Sequence, residues 1–390
     1  MNNDLKNNRK KVYLDYQATT PLDSRVLEVM LPYMTDIYGN PHSSEHAFGW
    51  EANKVIEKAK TQVASFINAL DDEIIFTSGA TESNNLAIIG TAYAALQSSK
   101  KRTILVSSIE HKCVLGAARF TEKLGFNVKK IPVQRDGQIN LDALSQMLDD
   151  DTLLVSVMAT NNEIGVNEPL TVIGDMCKNN DTIFHVDAAQ GAFANLDVID
   201  TQVDLMSLSS HKVYGPKGIG ALYISQQSHI KPQPIIYGGG QQDGFRSGTL
   251  CPFLVAGIGS AFEIMQKEKD EEAIHDRKLR TILLNGLKDI FPSLILNGSL
   301  ENRHPGNLNI TLPNVDARQF IFNLQPAIAF STGSACTSGI TEPSHVLRAI
   351  GLSTAEADAS FRMTVGRYTT EDDISFVLSH IKRYVEQKKD

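Results

Sequence analysis

The chain has 390 residues, 42% apolar and 21% charged, with a formal net charge of −8. That is the balance of an ordinary soluble globular protein with sequence for two or three domains, and its acidity argues against non-specific nucleic-acid binding. No apolar run approaches the ~20 residues of a membrane span, the polar start lacks the apolar stretch of a signal peptide, and four cysteines without a CxxC or a His/Cys cluster make neither a disulfide framework nor a zinc site, so a reducing cytoplasm is expected.

After a polar lead-in, Val12–Leu14 reads as a short strand, and residues 24–34 carry helical spacing at Val26, Met30 and Met34. A turn-rich loop, Tyr38–Ser44, precedes an amphipathic helix with Ala52, Val55, Ile56, Ala59, Val63, Phe66 and Ile67 on one face. From about 70 to 225, β-branched apolar runs alternate with helical stretches. Strands are expected over 74–76, 103–106, 128–133, 153–157, 182–186, 205–208 and 221–224, and helices over 81–98, 112–124, 140–150 and 169–179. Continuous apolar runs imply strands covered on both faces, hence a mostly parallel α/β sheet whose ligands sit at strand ends. A Gly-rich connection (226–250) and a long helix (260–290) follow, the latter with a solvated charged segment, Glu268–Glu272. They lead to a smaller α+β unit, with strands near 307–312, 327–330 and 360–365 and helices at 316–324, 343–350 and 371–387. The expected division is a large domain over 20–262 and a small domain over 263–390 completed by residues 1–19.

The strand ends carry the chemistry. Thr77–Asn84 opens a helix with small residues, which suits a phosphate cup or a plain helix N-terminus. Asp187, in His185–Gln190, ends a strand, where a buried carboxylate must meet a cation such as a protonated pyridine nitrogen or cap the next helix. His111 ends another strand and can stack on a planar ring, shuttle protons, or be structural. Asn161–Gly165 offers amides to a ring substituent or forms a turn. Lys212, beside His211 in Ser207–Gly218, is an amine nucleophile able to hold a carbonyl cofactor, or a solvated loop lysine. Together these are the parts that hold pyridoxal 5′-phosphate. In the small unit, Cys336 sits among Gly, Ser, Thr and Ala (Ser331–Gly339), the setting of an exposed nucleophile, whereas Cys113, Cys177 and Cys251 lie beside apolar stretches as core cysteines do. Arg362, flanked by Phe361 and Met363, should pair with a carboxylate, either a substrate's or a structural Asp or Glu.

Over about Tyr13 to Val377 the chain resembles the NifS/IscS-like cysteine desulfurases, the group with a short loop around the catalytic cysteine. The motifs that carry the likeness include Thr77-Ser78-Gly79-Ala80-Thr81-Glu82, Glu110-His111-Lys112, Asn161-Asn162-Glu163-Ile164-Gly165, His185-Val186-Asp187-Ala188, Ser210-His211-Lys212, Arg246-Ser247-Gly248-Thr249 and Gly333-Ser334-Ala335-Cys336-Thr337-Ser338. The resemblance implies a homodimeric fold-type-I pyridoxal-phosphate transferase, with a seven-stranded large domain and a smaller α+β domain. Such an enzyme converts L-cysteine to L-alanine and passes a persulfide to an acceptor protein. By that resemblance Lys212 is the Schiff-base lysine and Asp187 the partner of the pyridine nitrogen. Gln190 and Asn162 hydrogen-bond around the ring, and His111 stacks on it and manages protons near the substrate thiol. Ala80, Thr81, Ser209 and His211 hold the phosphate, with Thr249 from the other subunit. Asn40 and Arg362 clamp the carboxylate, and Cys336 accepts the sulfur. Lys217, between Pro216 and Gly218, is the rival lysine.

The chain departs from the pattern at Thr332, at Ala159-Thr160, and in its short end after Val377. The last departure opens two acceptors: an iron–sulfur scaffold, or a specialised system such as DNA phosphorothioation with no direct DNA contact. The rival functions are another fold-type-I enzyme such as an aminotransferase, which has no use for an exposed Cys336, and a non-catalytic homologue acting as a scaffold.

Overall fold

A computed structural model describes residues 10–332 and 343–387. The chain divides into two compact units, and the later division falls within the 39-residue helix Pro252–Ile290. One unit comprises Thr19–Asn161 and Val166–Lys269. The other takes the residues up to Ala18, Asn162–Gly165 and the residues from Asp270 on.

The first unit is built on a seven-stranded sheet in the order Ile74–Thr77, Gly220–Ile224, Leu205–Ser209, Ile183–Asp187, Thr152–Met158, Thr103–Ser107, Asn127–Ile131. Gly220–Ile224 runs antiparallel to both neighbours, and the remaining pairs are parallel. Successive side chains of each strand go to opposite faces, and both faces are apolar. Phe76, Leu105, Val155, Phe184 and Met206 join one core, while Ile75, Ile104, Leu154, Ile183 and Leu205 join another. Burial on both faces is why these strands read as unbroken apolar runs. The edge strand Asn127–Ile131 differs, with Asn127 and Lys130 exposed, whereas the opposite edge strand, Ile74–Thr77, is buried throughout. The helix expected from 260 begins at Pro252, and that expected over 24–34 is two pieces, Ser24–Met30 and Pro32–Thr35.

The second unit has a three-stranded antiparallel sheet, Ser360–Thr364, Asn307–Thr311 and Ile295–Leu296, and a parallel pair of Val12–Tyr13 with Ile328–Ala329. Leu283, Leu287, Ile310, Phe320, Phe361 and Val377 fill its core. The excursion Asn162–Gly165 is tied into this unit: Asn307 and Asn309 both donate side-chain N–H groups to the Glu163 carbonyl, each at 3.1 Å. Gly165, at φ +73°, has no room for a side chain, since a Cβ there would lie 2.4 Å from Asn307 Cγ.

Candidate active site

Strands Ile74–Thr77, Thr103–Ser107, Thr152–Met158, Ile183–Asp187 and Leu205–Ser209 all end at one edge of the sheet, because the antiparallel strand between the first and last restores their common direction. The edge therefore gathers Ala80, Thr81, His111, Asp187, Ser209, His211 and Lys212 in one unit, with Gln190 three residues beyond Asp187.

Helix Ala80–Ser98 begins at Gly79 without a side-chain cap. Gly79 adopts φ +148°, which favours glycine, and Gly220 packs against it so closely that a Cβ on Gly220 would lie 2.7 Å from Gly79 Cα. The first N–H groups of an α-helix have no partner inside it, so this uncapped start has the donors that could receive an anion. Glu82 does not fill it: its carboxylate accepts Ser78 N–H at 2.8 Å and Arg246 Nε–H at 2.8 Å. Burial raises the Glu82 pKa, but Arg246 and Ser78 outweigh it and hold the group below its usual range.

Asp187 is buried, with Oδ1 accepting Ala189 N–H at 3.0 Å and Oδ2 accepting Asn84 Nδ2–H at 2.7 Å. His111 caps helix Lys112–Glu122, its Nδ1 accepting the backbone N–H of Cys113 at 3.2 Å and lying 2.9 Å from the Cys113 sulfur. Next to it, Glu110 is wholly buried. Burial first, then Asp187, push its carboxyl well above the carboxylate range, and its Oε1 accepts Met158 N–H at 2.6 Å. His211 is pushed down to about 4, by burial and then by Lys212 and Lys217, so it stays neutral at pH 7; its Nδ1 lies 3.1 Å from Thr19 Oγ1. Thr20 fixes the turn, donating to the His211 carbonyl at 3.0 Å and accepting Tyr214 N–H at 2.9 Å. Lys212 is half-buried in that turn, whereas Lys217 is exposed. Deeper in the sheet His185 is pushed to about 3 by burial and lies between Ser156 Oγ (2.8 Å) and Ser207 Oγ (3.1 Å).

Asn40 and Thr249 are exposed residues of this unit, and Asn40 Oδ1 accepts His42 N–H at 3.0 Å. In the other unit Arg362 is buried, with Nη2 donating to Asp15 Oδ1 at 2.6 Å and Nη1 to the carbonyl of Asn162. Asp15 is thus one carboxylate that Arg362 meets, and Arg362 Nε has no hydrogen-bond partner among the described residues. Cys336 lies outside the described residues. Asn84 carried no signal in the sequence, and Cys113 packs against the core of Ile75, Ile104 and Leu154 as its apolar surroundings predict. Cys113 is half-buried in a polar network, whose signal is its place two residues after His111.

These residues suit pyridoxal phosphate on their own chemistry: an uncapped helix start for a phosphate, a buried carboxylate for a ring cation, and a half-buried lysine between them in the strand order. A mostly parallel seven-stranded sheet flanked by helices, with this edge, is the architecture of the fold-type-I pyridoxal-phosphate transferases. The chain belongs to the aminotransferase class-V family, whose profile matches residues 12–377. It is 48% identical over 375 residues to a probable mitochondrial cysteine desulfurase of Schizosaccharomyces pombe, covering 96% of this chain and 74% of the relative. It is 47% identical over 382 residues to the cysteine desulfurase IscS of Rickettsia typhi, covering 98% and 92%. Among solved structures it is similar to a NifS-like protein (TM-score 0.89, 36% identity, 96% of this chain and 99% of the other). It is also similar to DndA of Streptomyces lividans (TM-score 0.77, 36% identity, 89% and 97%).

Proposed function

We propose that the protein is a pyridoxal-phosphate-dependent cysteine desulfurase that converts L-cysteine to L-alanine and leaves the sulfur as a persulfide on Cys336. The observation that carries this is the single sheet edge on which the uncapped start of helix Ala80–Ser98, buried Asp187, His111 and the Ser209–Lys212 turn lie. The near-full-length likeness to cysteine desulfurases supports it. Bound there, pyridoxal phosphate supplies an aldehyde that takes up amines and a protonated ring that draws in electrons.

The chain's own groups do the rest. The N–H groups of Ala80 and Thr81, with Ser209 and His211, hold the phosphate. Asp187 keeps the ring nitrogen charged, its carboxylate fixed by Asn84 and Ala189, while Gln190 and Asn162 hydrogen-bond around the ring. His111 covers the ring face. The Lys212 amine removes the proton from the substrate Cα and returns it. Arg362 and Asn40 hold the substrate carboxylate, and the open Nε of Arg362 is a donor for it. The Cys336 thiolate bonds to the substrate sulfur as the Cβ–S bond breaks. The net change is L-cysteine plus a thiol going to L-alanine plus a persulfide, which balances. Protein acceptors then take the sulfur, for iron–sulfur assembly or a phosphorothioation system.

The active form is a homodimer in which Thr249 of one subunit completes the phosphate site of the other. The exposed side chains of Leu31, Met34, Tyr38, Phe48 and Trp50 support this as a surface for a second copy. No helix of the described residues is long and apolar enough to cross a membrane, and we place the persulfide carrier in a reducing cytoplasm. The test is alanine formation from L-cysteine by wild type and Cys336→Ala, with the bound cofactor followed by its visible absorbance. Wild type forms alanine. Cys336→Ala keeps the absorbance and loses turnover, whereas alanine at the wild-type rate without Cys336 refutes the sulfur mechanism.

A further inference from the structure

Behind His111, the Asp187 carboxylate and the Asn84 amide that fixes it connect to Cys113, a side chain that the reaction above does not use. Asp187 can only accept, and its Oδ2 takes one N–H of Asn84 Nδ2 at 2.7 Å. That contact orients the Asn84 amide, because turned over it would set Oδ1 against the carboxylate. Among the described residues nothing holds the other end: Asn84 Oδ1 is buried without a hydrogen-bond partner there. The same Nδ2 lies 3.2 Å from Cys113 Sγ, so the amide's two N–H groups serve two acceptors. The Cys113 thiol keeps its proton, since burial first and Asp187 second push it to about 12. Around that sulfur stand the Asn84 amide, the Thr81 side chain and His111 Nδ1 at 2.9 Å. The imidazole nitrogen is the strongest base of the three, so the thiol proton points to it. Nδ1 also faces the backbone N–H of Cys113 at 3.2 Å, and an N–H can only donate. With donors on Nδ1, the ring proton belongs on Nε2.

We propose that Asn84 and Cys113 are positioning residues that fix His111 as its Nε2–H tautomer: the Asn84 amide donates to both Asp187 and Cys113, and the Cys113 thiol donates to His111. The proposal deepens the desulfurase reading and rests on it for its consequence. His111 presents a hydrogen-bond donor at Nε2. Taking up a proton would place it on Nδ1 against both donors, so proton removal falls to Lys212 and His111 orients the substrate by donating. Asp187 then has two tasks, holding the ring charge and setting the face that His111 shows.

The test is long-range proton–nitrogen NMR of the full chain labelled with 15N-histidine, with and without pyridoxal phosphate, the His111 signals being assigned by their loss in His111→Gln. Wild type is expected to show Nε2–H in both states. Cys113→Ala should shift the His111 nitrogens toward a mixed tautomer and lower alanine turnover about tenfold, with KM for cysteine within about twofold. Cys113→Ser, whose hydroxyl can donate and accept at the same place, should restore both. Asn84→Asp removes both N–H donors and should move the tautomer even where Cys113→Ala folds poorly. Nδ1–H or imidazolium in wild type at neutral pH would overturn the proposal, as would Cys113→Ala with wild-type tautomer and turnover. The two ideas fail separately. Nε2–H in a wild type that makes no alanine refutes the desulfurase reading alone, and Nδ1–H in a wild type that does make alanine refutes the positioning role alone.

Discussion

The two edges of the central sheet differ in a way that volume does not reveal. At the edge where the parallel strands begin lies a cavity of about 540 Å³, lined among others by Glu73, Asp181, Asp204, Tyr223 and His229. Two of its carboxylates close on backbone, and Asp181 pairs with Lys101 at 3.3 Å. Glu73 accepts the N–H groups of Leu70 (3.0 Å) and Gln226 (2.8 Å), and Asp204 accepts that of Phe184 (2.9 Å). At the opposite edge helix Ala80–Ser98 starts uncapped, and Asp187 meets one backbone N–H, that of Ala189, and the Asn84 amide, whose oxygen has no hydrogen-bond partner among the described residues. Backbone N–H groups and a lysine satisfy the first set of carboxylates, whereas the uncapped helix start beside Lys212 leaves donors open, as the proposed site requires.

The largest expected effect comes from the lysine. Lys212→Ala should abolish the visible absorbance of bound cofactor and lower alanine formation by about 10³-fold or more. Exposed Lys217→Ala should stay within about twofold of wild type; the reverse order would move the cofactor lysine. Next is a matched pair of carboxylates. Asp187→Asn should cost about 10²-fold in turnover with little change in melting temperature, whereas Asp204→Asn should lower stability by about 1–2 kcal/mol and spare turnover. Equal kinetic losses would erase the distinction between the edges.

A smaller effect sharpens the comparison inside the sheet. Burial raises Glu168 from 4.5 to about 8; its Oε2 accepts Ile139 N–H at 2.9 Å and its Oε1 has no hydrogen-bond partner. Between about pH 4.5 and 8 the unfolded chain sheds this proton and the folded chain keeps it. The unfolded state binds fewer protons there, so stability falls as pH rises through that window. His185 acts oppositely: with a folded value of about 3 against 6.5, it weakens the fold as pH falls from 6.5 toward 3. Chemical denaturation at pH 6 and pH 8 should show Glu168→Gln removing a loss of roughly 2–3 kcal/mol. An unchanged slope would mean that Glu168 is ionised in the fold.

Much of this was legible in the sequence because burial on two faces leaves unbroken β-branched runs, and because each strand end carries its chemistry in the next few residues. His111, Asp187 and Lys212 are local signals of that kind. What stayed hidden depends on partners distant in the chain. Nothing in a window around Arg362 points to Asp15, 347 residues away, nor does Cys113 point to Asn84, 29 residues back. The attachment of Asn162–Gly165 to the second unit rests on Asn307 and Asn309 finding one carbonyl, which has no periodicity. Strand Ile295–Leu296 and helix Thr354–Asp358 were not expected from the sequence, although His345–Ala349, equally short, was.

The central claim is that Cys336 takes sulfur from L-cysteine at a site centred on Lys212. It is tested most directly by supplying sulfur-labelled cysteine to the full chain, measuring alanine, and locating the label by peptide mapping. One labelled sulfur on Cys336 is expected for each first-turnover alanine, with none of either in Lys212→Ala. Label on another cysteine, or alanine formed with no protein-bound sulfur, would contradict it.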